Sequence, residues 1–173
     1  MAATYIPIAS TTLTTSAGSV TFSSIPATYT DLVLRWSGRS TRANIGTDVL
    51  ITLNSSTATN YSYTFMRGNS ASAVSSRGSN QANLWVVTNG TNTTSNTFSS
   101  NELYIPNYAA SQNKPISSYD VVENNSSSSG QALIDAYAEL WRVTDAITSI
   151  TLAPDASSFV SGSSFFLYGI KNS

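Results

Sequence analysis

The chain has 173 residues, the size of one domain, enough for a core that hides roughly 70% of the unfolded surface. It has no cysteine, which excludes disulfides and thiolate sites, and no histidine, which removes the commonest general base and the commonest metal ligand together. Only 10% of residues are charged and the net charge is −1, so the chain carries no electrostatic footprint for nucleic acid or an anionic membrane surface.

Hydration therefore falls to hydroxyls and amides: Ser, Thr and Asn make up about two-fifths of the chain. The hydrophobic 40% comes in blocks rich in β-branched and aromatic residues, which favours a folded all-β domain over disorder. No stretch approaches the length of a transmembrane helix, and residues 1–8 lack the basic start and long apolar run of a signal peptide.

Taken in order, the opening carries Tyr5, Ile6 and Ile8 around Pro7, then Leu13, Val20 and Phe22 among hydroxyl residues. Pro7 has no N–H to give a ladder, so residues 1–12 are read as an N-terminal arm or edge strand and residues 13–173 as the domain proper. Residues 23–30, with Pro26, form a turn. Residues 31–37 set Leu32, Leu34 and Trp36 on one strand face and Val33 and Arg35 on the other. A polar connection leads to Val49, Ile51 and Leu53, which alternate with Leu50 and Thr52 up to an Asn54-Ser-Ser turn. Residues 61–67 alternate Tyr61, Tyr63, Phe65 and Arg67 against Ser62, Thr64 and Met66. Residues 68–80 are small and polar and read as a long surface loop, functional by its length, with Arg67 and Arg77 as its only charges.

Residues 84–87 are a short strand carrying Trp85, followed by a low-complexity turn at 89–96. Leu103, Tyr104 and Ile105 are stopped by Pro106, and residues 116–122 form a strand closed by a flexible hairpin end at 123–130. In residues 132–142, Ala132, Leu133, Ala136, Tyr137 and Leu140 fit a helical stripe. The same run fits a strand with Ile134, Ala136, Ala138 and Leu140 on one face and Leu133, Tyr137 and Trp141 on the other. Strand is expected, because every neighbour is β and no capping box opens the segment. Ile150 and Leu152 begin a further strand. Residues 165–170 close the chain as a strand so apolar that burial on both faces is expected. Nine or ten short strands separated by Ser, Asn and Gly turns predict an antiparallel sandwich.

The nine acids lie mostly at expected strand ends and turns, so they read as turn-forming and solubility residues rather than a glycosidase pair. Arg35, Arg39 and Arg42 read as strand-end solvation. Neither Asp120 with Glu123 nor Asp145 with Asp155 has the spacing of a calcium loop, no glycine-rich phosphate cradle leads into a helix, and no cofactor is expected. Sequons such as Asn54-Ser-Ser and Asn89-Gly-Thr follow from composition alone. Trp36, Trp85 and Trp141 read as core. The rival reading makes Tyr61, Tyr63 and Trp85, beside the 68–80 loop, a sugar platform.

SVTFSSIPATYTDLVLRW at 19–36, NYSYTFMRGN at 60–69, and LWRVTDAITSITL with FVSGSSFFLYGI at the end resemble small virion proteins of tailed bacteriophages, especially of aquatic and cyanobacterial hosts. The resemblance spans most of the chain. It implies a jelly-roll β-sandwich, a homotrimer, no catalytic residues, and a place on the outer surface of the virion as a capsid decoration (cement) protein, fibre head or tail-fibre tip. A tail fibre normally carries an attachment segment and shaft before its tip, whereas this chain enters its sandwich within about 20 residues, so decoration of the major capsid protein is expected first. The interface then includes Tyr5, Ile6, Pro7 and Ile8 as an arm that docks by strand addition, with Arg67, Arg77 and Trp85 around the long loop. A fibre tip binding a host receptor or glycan is the alternative, and no nucleic acid or membrane partner is expected.

Overall fold

The computed structural model describes residues 4–125 and 132–171. Among them are twelve strands and no helix: β1 (Tyr5–Thr12), β2 (Val20–Phe22), β3 (Asp31–Ser37), β4 (Gly46–Leu53), β5 (Tyr61–Gly68), β6 (Ala73–Gln81), β7 (Leu84–Asn89), β8 (Ser100–Ile105), β9 (Lys114–Val122), β10 (Leu133–Trp141), β11 (Ile150–Pro154) and β12 (Ser164–Ile170). All pair antiparallel, in an eight-stranded sheet of order β1-β12-β3-β8-β9-β10-β5-β6 and a four-stranded sheet of order β2-β11-β4-β7.

Those orders contain a jelly roll. The sets β1-β12-β3-β8 and β2-β11-β4-β7 are two four-stranded sheets that the chain visits alternately, each outer pair wrapping the one inside it. The other four strands are two hairpin insertions, β5–β6 and β9–β10, which continue the first sheet past β8. The sandwich expected from the sequence is thus present as one domain, with twelve strands rather than nine or ten.

The core lies between the jelly-roll sheets. Leu32, Leu34 and Trp36 of β3, Leu103 and Ile105 of β8, and Phe165 and Leu167 of β12 face Val49, Ile51 and Leu53 of β4, Leu84 and Val86 of β7, and Ile150 and Leu152 of β11. Each such aliphatic side chain contributes roughly 1.5–3 kcal/mol by leaving water. β1 is an edge strand, as Pro7 requires, with a bulge between Pro7 and Ala9.

Three expectations need correction. Residues 68–80 are not a long loop: β6 begins at Ala73, and only a tight turn separates it from β5, with Asn69 Oδ1 accepting from the Ala71 and Ser72 N–H groups. β6 is exposed on both faces, so it needs no apolar alternation and shows none. β12 is not buried on both sides: Phe165 and Leu167 are inside, but Phe166 on the outer face is 38% exposed. In β10, a strand as expected but with its buried face left open by the pattern, the face carrying Asp135, Tyr137, Glu139 and Trp141 is buried, while Ile134 and Ala138 are exposed. Finally, Arg39 is no surface cation. It is buried, and its guanidinium donates to Thr93 Oγ1 and to the carbonyls of Thr91, Thr93, Thr94 and Thr97, so the low-complexity turn wraps round it.

Of the sequons, Asn89 is buried and the Asn54 amide is engaged. Residues 1–3 of the expected arm and 126–130 of the expected hairpin end lie outside the described residues.

Candidate functional site

The inserted strands bring two layers of side chains together. On the inner face, one cross-strand row runs Asn101 (β8), Asp120 (β9), Asp135 (β10), Arg67 (β5), each directly opposite the next. Asp135 is fully buried. Arg67 binds it with both arms, Nε to Oδ1 at 2.8 Å and Nη2 to Oδ2 at 2.6 Å, and Tyr137 donates its hydroxyl to Oδ2 at 3.0 Å. The pairing, chiefly the hydrogen bond, holds the Arg67 guanidinium charged, its pKa raised further above the usual value.

Asp120 and Glu139 do something different. β7 is the free edge of the four-stranded sheet, and it abuts the inner face of β9 and β10. Its outward N–H groups would be buried without partners. Val87 N–H donates to Asp120 Oδ2 at 2.8 Å, Trp85 N–H donates to Glu139 Oε1 at 3.0 Å, and the Asn101 amide donates to the Val87 carbonyl at 2.6 Å. Side chains thus replace the missing neighbour strand. Burial pushes the Asp120 carboxyl up to about 8, against the opposing effect of bonds from Asn101 and Val87, and holds Glu139 well above the carboxylate range. These acids are structural caps for an edge, not the turn and solubility residues their sequence positions suggested. Both oxygens of Asp120 and of Asp135 already accept hydrogen bonds within the protein.

The outer face over this row is apolar. Ala136 lies opposite Met66 on one side and Tyr119 on the other, and Ile134 lies between Gly68 and Val121. Met66 is 66% exposed, Ile134 60% and Tyr119 59%, large apolar side chains left open among the described residues. Between them runs a shallow groove of about 510 Å³, floored by Gly68, Ala73 and Ala136. Toward β12 the same face carries Glu102, Arg35 and Phe166 in register, with Arg35 Nε donating to Glu102 at 2.6 Å. Arg35 also lies over the Tyr5 ring, which meets Tyr168 edge to face. The two charges on this stretch pair with each other, and Arg77, opposite Thr64 on β6, stands on the same outer face beyond the apolar patch.

The residues expected at an interface do not converge. Tyr5, Ile6, Pro7 and Ile8 sit in β1 at one edge of the large sheet, with Ile8 packed on the core; Arg67 and Arg77 sit in β5 and β6 at the other. Arg77 is exposed, Arg67 is engaged by Asp135, and Trp85 is half-buried on β7, stacked on Tyr63 with ring centroids 5.5 Å apart. Tyr61 is buried and stacked on Trp141. Met66, Tyr119, Val121 and Ile134, which form the exposed face, were missed. Their alternation was legible, but alternation by itself does not say which face of a strand is buried.

No family model matches this chain, and no curated protein or solved structure matches it.

Proposed function

We propose that this chain is a virion structural protein of a tailed bacteriophage, a capsid decoration protein that docks on the outside of the assembled shell through the outer face of its large sheet. The observation behind this reading is the uncovered apolar face of Met66, Tyr119, Val121 and Ile134, which is out of place on a freely diffusing protein of net charge −1. The sequence resemblance to phage virion proteins supplies the kind of assembly, and the major capsid protein is the partner. Binding that occurs only to assembled shell adds free energy to that state and resists its disruption.

The fibre-tip reading has less behind it. Its aromatic platform needs open rings, whereas Tyr61 is buried and the rings of Tyr63 and Trp85 are stacked on each other.

A copy count in purified virions, by quantitative mass spectrometry against the major capsid protein, tests the proposal. Roughly one copy per one to a few capsid subunits supports decoration. A few tens of copies per particle or fewer would place the protein on fibres or the tail.

A further inference from the structure

The two sheets have four edge strands, β1, β6, β2 and β7. Sheet edges are open templates for pairing, and proteins guard them by shortness, proline, bulges or cover. Three of these edges are guarded. β2 has only three residues, β1 carries Pro7 and a bulge, and β7 is sealed by Asp120, Glu139 and Asn101. The fourth is not. β6 is nine residues long, has no proline, carries Arg77 as its one charge, and is exposed from Ala73 to Arg77 without a break. Its irregularity falls at the far end, past Gly78, where Arg142 Nη2 holds Asn80.

We propose that β6 pairs antiparallel with β6 of a second copy of this chain, joining two large sheets edge to edge about a twofold axis. Three features favour a second copy as the occupant. An axis through Val74, Ser75 or Ser76 sets Arg77 opposite Ala71, Ala73 or Ser75 respectively, so like charges do not meet across the seam. A chain of net charge −1 offers its own copy almost no repulsion. An axis perpendicular to the sheet also puts both outer faces on the same side, so the patches that begin at Met66 on β5, next to β6, and extend to Ile134 on β10 lie on one side of the joined sheet. The symmetry this edge supports is twofold, not the threefold that the resemblance implies. The inference is independent of whether the partner of the outer face is a capsid shell.

Sedimentation equilibrium of the full chain, combined with a cysteine scan, tests it. The chain has no native cysteine, so Val74→Cys, Ser75→Cys and Ser76→Cys each place one reporter on an exposed position. Directly opposite residues in an antiparallel pair lie within disulfide reach at about 4.5–5.5 Å between Cα atoms. The expected result is twice the monomer mass, with one of the three variants cross-linking to a dimer on mild oxidation while Thr21→Cys on β2 does not. A monomer or trimer at concentrations on the order of 100 µM, or a dimer that none of the three β6 cysteines cross-links, overturns the proposal.

Discussion

Glu139 on β10 accepts a hydrogen bond from the backbone N–H of Trp85 on β7, at 3.0 Å, in a site where the carboxyl is buried and its second oxygen has no partner among the described residues. A side chain thus stands where the next strand of the small sheet would be. The arrangement lets the large sheet curl past the β7 edge and carry two further hairpins, whose outer face is the surface proposed to dock.

The cost of that device is a pH dependence. Glu139 and Asp120 are held neutral in the fold, Asp120 with a pKa near 8 and with Asp135 and Arg67 as its charged neighbours. The folded chain therefore holds more protons than the unfolded chain between about pH 4 and about pH 8, and stability falls as pH rises through that window. The melting temperature is expected to drop from pH 5 to about pH 8, and Glu139→Gln, which keeps the acceptor for Trp85, to flatten that slope and raise the melting temperature at the alkaline end. A Gln variant with the parent slope would count against this account.

Arg67 and Asp135 make a second, opposite kind of contribution. Arg67→Met leaves a buried carboxylate without its cation and is expected to lower stability by about 3–5 kcal/mol in urea unfolding. Arg67→Lys keeps the charge but not the two-armed geometry and should fall between. Adding Asp135→Asn to Arg67→Met should recover part of the loss, because the uncompensated charge goes with it.

Asn54 ties the turn after β4 to the irregular segment that leads into β11. Its φ is +51°, and its side chain accepts from Thr148 N–H at 2.8 Å and Ser149 N–H at 3.2 Å while donating to the Ala146 carbonyl at 2.8 Å. Asn54→Ala loses these bonds and places a less tolerant residue in left-handed backbone, an expected loss of about 2–4 kcal/mol. Asn54→Gly loses the same bonds without the strain and should be milder by about 1 kcal/mol. Equal melting temperatures for the two would show that the backbone conformation contributes nothing.

On the outer face, Ile134→Asp and Met66→Asp replace exposed side chains and should leave folding stability within about 0.5 kcal/mol of the parent. Co-sedimentation with shells that lack the protein is expected to weaken at least tenfold, equivalent to about 1.4 kcal/mol or more. Undiminished co-sedimentation would remove this face from the docking surface.

Much of the fold was written in local pattern. The period-two alternation of Leu32, Leu34 and Trp36 and of Val49, Ile51 and Leu53 announced strands that the core then used in the expected sense. Pro7 announced an edge, and the scarcity of charge with the absence of cysteine and histidine fixed the chemical character of the whole. These features are legible because they concern a residue and its near neighbours, or the composition itself.

What only the tertiary structure decided was which face of a strand is inside and which segments need no pattern. The residues around Asp135 and Glu139 alternate cleanly, but the choice of buried face depends on β7, some 50 residues earlier in the chain, having N–H groups that must be met. β6 was unreadable for the complementary reason: a strand exposed on both faces is held by backbone pairing to β5, which leaves no mark in side-chain polarity. Sequence alone set the class of fold. Long-range hydrogen bonding, which costs nothing in local pattern, set the surface that the fold presents.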